Sequence, residues 1–134
     1  MARTITYRGK SDADLAQMSI EDSYPLLTSR ARRALKRAMA NKAYTVRALI
    51  KKVALVKKAN PGKTIKTQVR EAVILPEWLG LTFGVHNGKE YKTVPITIEK
   101  VGYRLGDFAH TTSRVLHSGP GVGATRGSKF IPLK

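Results

Sequence analysis

The sequence predicts an α+β fold with basic N-terminal helices, a small antiparallel β-sheet that contains a hairpin, and an extended C-terminal tail. Three observations support this class. Apolar residues recur at helical spacing from residue 29 to residue 58, which is typical of amphipathic helices. Asn87-Gly88 separates two β-rich runs, and Asn-Gly is the strongest short-range hairpin signal. After Phe108 the apolar periodicity ends and glycine becomes frequent. The predicted regions are a basic helical region (1–64), a β-rich module (65–109) and a basic, Gly-rich tail (110–134).

The N-terminal region carries two Ser-x-x-Asp pairs. Ser11 with Asp14, and Ser19 with Asp22, have the spacing of serine N-caps, which satisfy backbone N–H groups at the start of a helix. Pro25 follows the second pair, and proline removes a backbone donor. We therefore expect one short helix and then a second that is very short or irregular.

Two basic amphipathic helices are predicted next. Over residues 29–43 alanine, leucine and methionine form one face. The opposite face carries five cations, Arg30, Arg32, Arg33, Lys36 and Arg37. A second helix is predicted from about Tyr44 to Lys58, and Asn60-Pro61-Gly62 ends it. Because the apolar face of the first helix is mostly alanine, it would bury little area in a lipid surface, so we expect it to pack against protein.

The β-rich module begins with an apolar run. Val69 and residues 73–75 suggest a first strand, and residues 76–80 suggest a turn. Trp78 lies in this turn. An aromatic ring such as Trp78 or Tyr91 is able to stack on an RNA base, but a lone tryptophan in an apolar stretch is more often a core residue.

The hairpin is predicted from residues 81–85 and 90–96. Asn87 and Gly88 both tolerate positive φ, so we expect them to form a type I′ turn. Thr97 follows the second strand and is placed to cap a single helical turn.

Charge is the strongest compositional signal. Lys and Arg number 25 against nine acids, which gives a formal net charge of +16 and a pI near 10.5. Between Asp22 and Glu71 there are fourteen Lys and Arg and no acid, and residues 108–134 also contain no acid. A solvated helix face normally mixes both signs, so one-signed runs favour a polyanionic partner. Nucleic acid is the expected partner, with an anionic membrane surface and a general DNA-compacting role as alternatives.

The composition also constrains the compartment. The sequence contains no cysteine, so neither disulfides nor thiolate metal sites are expected. No run approaches 18 apolar residues and the N-terminus lacks a signal-peptide core. We therefore expect a soluble, cytoplasmic protein with no membrane association.

The glycine-rich segment 117–129 does not fit a nucleotide-binding loop. A P-loop requires four residues between its glycines and a following Lys-Ser/Thr, whereas three residues separate Gly123 from Gly127. A dinucleotide-binding turn would need a helix and an acidic residue about twenty positions further on. After Ala124 only ten residues remain and none is acidic. An NTPase is therefore not expected.

Catalytic and metal-binding constellations are not predicted either. The three histidines, His86, His110 and His117, are scattered and have no cysteine or carboxylate cluster beside them. The serines lack a nucleophile elbow, and the carboxylates show no paired arrangement for acid–base chemistry. We expect no catalytic residue, no metal, no cofactor and no small-molecule substrate.

Residues 65–111 resemble a known family. The segment contains Ile74-Leu75-Pro76-Glu77, Val85-His86-Asn87-Gly88-Lys89 and Leu105-Gly106-Asp107-Phe108. In order and spacing these motifs resemble the universal small-subunit ribosomal protein nineteen, called protein fifteen in the older eukaryotic naming. Thr6-Tyr7-Arg8-Gly9 and the tail resemble its archaeal and eukaryotic branch.

The resemblance implies a structural role in the head of the small ribosomal subunit, bound to the 3′ domain of the small-subunit rRNA, in the cytoplasm. It also implies four kinds of partner: the rRNA, the neighbouring small-subunit protein thirteen (eighteen in eukaryotes), A-site tRNA reached by the tail, and the large subunit through a bridge.

We expect Lys and Arg to contact phosphates while the folded shape of the RNA supplies specificity. In the tail, glycines 119–127 would let the backbone pass close to RNA. The predicted RNA-binding residues are Arg32, Arg33, Lys36, Arg37, Lys66, Arg70, His86, Asn87, Gly88, Lys89, Arg104, Arg114, Arg126 and Lys129.

Overall fold

The computed structural model describes residues 5–112. Its three α-helices and three β-strands confirm the α+β class. They are α1 (Asp12–Gln17), α2 (Ser29–Met39), α3 (Tyr44–Ala59), β1 (Ile65–Thr67), β2 (Thr82–His86) and β3 (Tyr91–Pro95). Short 3₁₀ helices cover Tyr24–Leu26, Pro76–Trp78, Ile98–Lys100 and Leu105–Phe108. Almost all of the predicted tail lies outside the described residues.

The predicted N-terminal caps are present. The Ser11 hydroxyl accepts a hydrogen bond from the backbone N–H of Asp14 and donates one to the Asp14 carboxylate. This side-chain bond, with a second from the Ser11 backbone N–H, lowers the pKa of Asp14. Ser19 caps only a turn, which leads into the 3₁₀ helix that contains Pro25. The expected short helix and irregular turn are both confirmed.

The two basic helices form as predicted, although α2 is shorter than expected. It ends at Met39 rather than near residue 43, and Asn41 then adopts φ +62°. Asparagine tolerates this left-handed conformation better than most residues, so the chain reverses there. None of the helices in the described residues is long and apolar enough to cross a membrane.

The apolar faces of α2 and α3 belong to one hydrophobic core. Ala31, Leu35 and Ala38 of α2 share it with Val46, Leu49 and Val53 of α3. This confirms that the alanine-rich face packs against protein.

The sheet has the order β1-β2-β3 and is mixed rather than wholly antiparallel. β2 and β3 form the predicted antiparallel hairpin, whereas β1 pairs with β2 in parallel. The first strand is also not where the apolar run suggested. It ends at Thr67, whose hydroxyl accepts a hydrogen bond from the backbone N–H of Val69 and so starts a turn. The apolar residues 72–75 are buried core in an irregular segment, because an apolar run reports burial and not conformation.

The irregular segment is held by a second chain segment. Residues 70–74 run antiparallel to residues 102–106 through four backbone hydrogen bonds and a bridge between Val73 and Arg104. The pairing closes the domain, because residues 102–106 reach back to the irregular segment that precedes the hairpin.

The hairpin loop has a different geometry from the one predicted. Four residues separate β2 from β3, and within the loop only Gly88 has positive φ, at +106°. The side-chain oxygen of Asn87 accepts hydrogen bonds from the backbone N–H groups of Lys89 (3.0 Å) and Glu90 (2.9 Å). This side-chain turn competes with the type I′ turn, so the hairpin is confirmed while its predicted turn type is wrong. Thr97 precedes the expected helical turn, but its side chain makes no capping hydrogen bond.

Trp78 is a core residue, as the more common alternative predicted. Only 2% of its surface is exposed, and its ring centroid lies 5.1 Å from that of Phe83 in β2. The 3₁₀ helix of residues 76–78 therefore anchors the sheet through one aromatic pair, and Trp78 has no exposed ring face for an RNA base.

Gly102 offers a test of packing at the N-terminal end of the domain. It has φ +85°, and a Cβ there would lie 3.0 Å from the Tyr7 hydroxyl and 3.3 Å from Leu27 Cδ2. We expect Gly102→Ala to lower the free energy of unfolding by about 2 kcal/mol in urea titrations. Gly80→Ala is the matched control, because Gly80 has φ +78° with nothing within 4 Å of its Cβ position. Equal losses in both variants would mean that Tyr7 and Leu27 contribute nothing to the effect.

Candidate nucleic-acid interface

The cations of the described residues are not neutralised by hydrogen-bonded carboxylates. Within residues 5–112, the hydrogen bonds donated by Lys and Arg side chains all go to backbone carbonyls. A carbonyl orients a cation without cancelling its charge. The positive potential of this surface therefore extends into solvent and is available to a polyanion.

The four predicted residues on α2 separate into two groups. Arg33, Lys36 and Arg37 are exposed. Arg32 is half-buried, and its guanidinium donates to the carbonyls of Tyr24 (3.0 Å) and Leu27 (3.3 Å). Arg32 therefore holds α2 against the preceding 3₁₀ helix.

A cleft lies between α2 and the segment around Gly102. Three arginines line it, Arg8, Arg30 and Arg104, and Asp107 is its one carboxylate. Arg104 and Val73 also line a second depression, which continues past Arg37 and Lys42. The two depressions therefore meet at the pairing of residues 70–74 with residues 102–106.

The second depression continues toward the sheet. Thr45 and Glu71 border it and also border a third depression beside Arg70. The third shares Thr45, Gln68 and Val69 with a fourth, which reaches Lys66 and Lys52.

These four depressions form one continuous surface with eight cations and two carboxylates. We name this surface the basic band, after its cations Arg8, Arg30, Arg37, Lys42, Lys52, Lys66, Arg70 and Arg104. Tertiary structure thus brings four predicted residues, Arg37, Lys66, Arg70 and Arg104, onto the same path.

The basic band ends at an aromatic pair on the sheet. Tyr91 of β3 is 40% exposed, with the Lys66 ammonium 5.5 Å from its ring centroid. The ring of His86 meets it edge-on, with 4.9 Å between centroids. Tyr91 and not Trp78 is therefore the aromatic side chain that an unpaired base can reach at this end.

The hairpin loop next to this pair uses its polar side chains internally. His86 Nδ1 accepts a hydrogen bond from the backbone N–H of Gly88 (3.1 Å). Asn87 Oδ1 accepts hydrogen bonds from the backbone N–H groups of Lys89 and Glu90. In the neutral imidazole the proton therefore lies on Nε2. The loop presents an exposed Lys89 on a backbone that these two side chains shape.

Arg70 has its guanidinium turned into the protein. It donates to the carbonyls of His86 (2.7 Å), Gly106 (3.1 Å) and Ala109. Three of the five N–H donors of an arginine are thus used internally.

Four cations of the basic band were missed from the sequence: Arg8, Arg30, Lys42 and Lys52. Arg30 and Arg37 are seven positions apart, and this spacing alone places them on the same side of a helix. That signal was available for Arg30. Arg8, Lys42 and Lys52 offered none, because only the tertiary fold brings Arg8 and Lys42 beside Arg104 and Lys52 beside Lys66. Arg114, Arg126 and Lys129 lie outside the described residues and stay predictions.

Comparison with known proteins agrees with the motifs in the sequence. A family model described as ribosomal protein S19 matches residues 36–117. The protein described as small ribosomal subunit protein uS19 from Methanocella arvoryzae is 43% identical over 130 residues, which cover 96% of this chain and 86% of that relative. The chain belongs to the ribosomal protein S19 family of the small ribosomal subunit.

Proposed function

We propose that this protein binds the 3′ domain of the small-subunit rRNA in the head of the subunit, with the basic band as its main contact surface. The observation that carries the proposal is the continuity of the band, which lines up eight cations past only two carboxylates. A structural role in the ribosome follows from the family. We infer that the protein acts by binding and not by catalysis.

The binding mechanism is electrostatic with recognition of shape. Arginine presents a planar fork that pairs with phosphate oxygens in a bidentate manner. Arg70 is turned into the protein, so the arginines of the band that remain for this role are Arg8, Arg30, Arg37 and Arg104. Each neutralised phosphate releases a counterion, so affinity must fall with salt. If about eight phosphates are contacted, affinity falls on the order of 10³-fold between low and moderately raised salt.

The finer parts of the proposal rest on the family resemblance. We propose contacts with small-subunit protein thirteen, with A-site tRNA through the tail, and with the large subunit through a bridge. The hairpin loop and α2 add Lys89, Arg32, Arg33 and Lys36 as further phosphate contacts. Arg114, in the predicted tail, belongs with them.

Sedimentation of tagged protein from cell lysate tests the proposal, with sequencing of the RNA that co-purifies. We expect co-migration with small subunits and reads from the 3′ domain of the rRNA. Equal affinity of the purified protein for duplex DNA and for folded rRNA would instead support a general nucleic-acid-binding protein. Helix gain on anionic vesicles and not on RNA would support a membrane-surface module.

The tail provides a separate prediction. We expect a triple variant, with Arg114→Ala, Arg126→Ala and Lys129→Ala, to bind small subunits or tRNA more weakly. Each of the three substitutions removes one proposed phosphate contact. A combined Arg126→Ala and Lys129→Ala variant should behave likewise, with an unchanged far-UV circular dichroism spectrum. Loss of that spectrum would show that the tail is part of the folded domain and not an appendage to it.

A further inference from the structure

We propose that Arg70 is a positioning residue of the RNA interface, which holds the base of the hairpin loop and the start of the C-terminal segment in one fixed arrangement. The importance of this arrangement for RNA rests on the proposed function. The arrangement itself is a property of the free protein and can be tested without RNA.

The three carbonyls that Arg70 binds come from separate parts of the chain. The His86 carbonyl lies at the end of β2, where the hairpin loop begins. The carbonyls of Gly106 and Ala109 lie within and directly after the last 3₁₀ helix. One planar guanidinium therefore links the start of the hairpin loop with the end of the last 3₁₀ helix, directly before His110.

The backbone around Arg70 supports the same contact. The carbonyl of Arg70 accepts a hydrogen bond from the Gly106 N–H at 2.8 Å. A Cβ at Gly106 would lie 3.0 Å from that carbonyl oxygen and 3.1 Å from the Arg70 Cβ. A side chain at position 106 would therefore push the two segments apart by a few tenths of an ångström, and their close approach brings the guanidinium within reach of its acceptors.

Lysine cannot replace this function of Arg70. Its ammonium is a compact point charge, whereas the three carbonyls are bound by two nitrogens of a rigid fork. A phosphate, in contrast, accepts hydrogen bonds from either cation. The Arg70→Lys variant therefore separates a positioning role from a direct phosphate contact.

The first measurement is made on the free, full-length protein. The sequence has no cysteine, so Lys89→Cys and Thr112→Cys accept spin labels at the hairpin loop and at the start of the C-terminal segment. We expect a narrow distance distribution between the labels, which broadens in Arg70→Lys and Arg70→Met. We also expect these two variants to melt about 10 °C lower. Unchanged distributions in both variants would overturn the positioning role.

The second measurement is affinity for a 3′-domain rRNA fragment over a series of salt concentrations. We expect Arg70→Lys and Arg70→Met to lose about tenfold in affinity, because the contact groups are no longer preorganised. The slope of log affinity against log salt should stay at the wild-type value. Full affinity in Arg70→Lys, with a slope smaller by about 0.7 to 0.9 in Arg70→Met, would identify Arg70 as a phosphate ligand and overturn the proposal.

Gly106→Ala is the second variant, in case loss of Arg70 prevents folding. It keeps every charge and displaces Arg70 through the close contact at its Cβ position. We expect the same broadened label distances and the same loss of affinity at an unchanged salt slope. Label distances and an affinity equal to those of the wild-type protein would count against the proposal. If the wild-type protein prefers duplex DNA to rRNA, the proposed function fails, while the label distances still decide the role of Arg70.

Discussion

Replacing three arginines of the basic band, Arg30→Gln, Arg37→Gln and Arg104→Gln together, is expected to lower affinity for the 3′-domain rRNA on the order of 100-fold at moderate salt. The physical reason is the loss of three phosphate contacts at the junction of the first two depressions, where Arg104 lines both. The slope of log affinity against log salt should fall by about 2 to 2.7. Filter binding or fluorescence anisotropy over a salt series measures both quantities.

The matched control removes the same net charge elsewhere. Lys51, Lys58 and Lys92 are exposed and do not line the basic band. We expect Lys51→Gln, Lys58→Gln and Lys92→Gln together to reduce affinity much less. Equal losses from the two triple variants would mean that the protein binds through its total charge, as a general nucleic-acid binder does, and would remove the basic band from the proposal.

Trp78→Ala is expected to lower the free energy of unfolding by about 3 to 5 kcal/mol, the usual cost of truncating a large buried aromatic residue. Trp78 is 2% exposed and pairs with Phe83, which is fully buried in the central strand of the sheet. Domains of this size are stable by only about 5 to 15 kcal/mol. Urea titration followed by circular dichroism should show most of that stability lost, and Trp78→Phe should restore part of it.

Tyr91→Ala distinguishes an aromatic core residue from an aromatic RNA contact. Tyr91 is 40% exposed and meets His86 across the hairpin, so we expect a loss of about 1 kcal/mol in stability. We expect the substitution to change the free energy of RNA binding by more than it changes the free energy of unfolding. A small stability loss in Trp78→Ala, together with reduced affinity for RNA, would contradict the assignment of Trp78 to the core.

Short-range patterns in the sequence predicted the helices and the hairpin. The serine cap of α1, the span of α3 and the two strands beside Asn87-Gly88 all depend on residues a few positions apart. Interactions between residues a few positions apart also explain the two wrong predictions, the type of the hairpin turn and the position of the first strand. The Asn87 side chain bonds its own loop in place of a type I′ turn, and the Thr67 hydroxyl ends β1 before the apolar run that looked like a strand.

By itself, the sequence determined the fold class, the segregation of positive charge from acids, the polyanionic partner and the family motifs. Only the tertiary structure decided that β1 pairs in parallel, that Arg8 and Arg30 meet Arg104 in one cleft, and that Arg70 faces inward. The physical reason is distance along the chain. Helical period and turn chemistry act over a few residues, whereas Arg70 binds carbonyls 16, 36 and 39 positions away. Those contacts exist only after the core has brought the segments together.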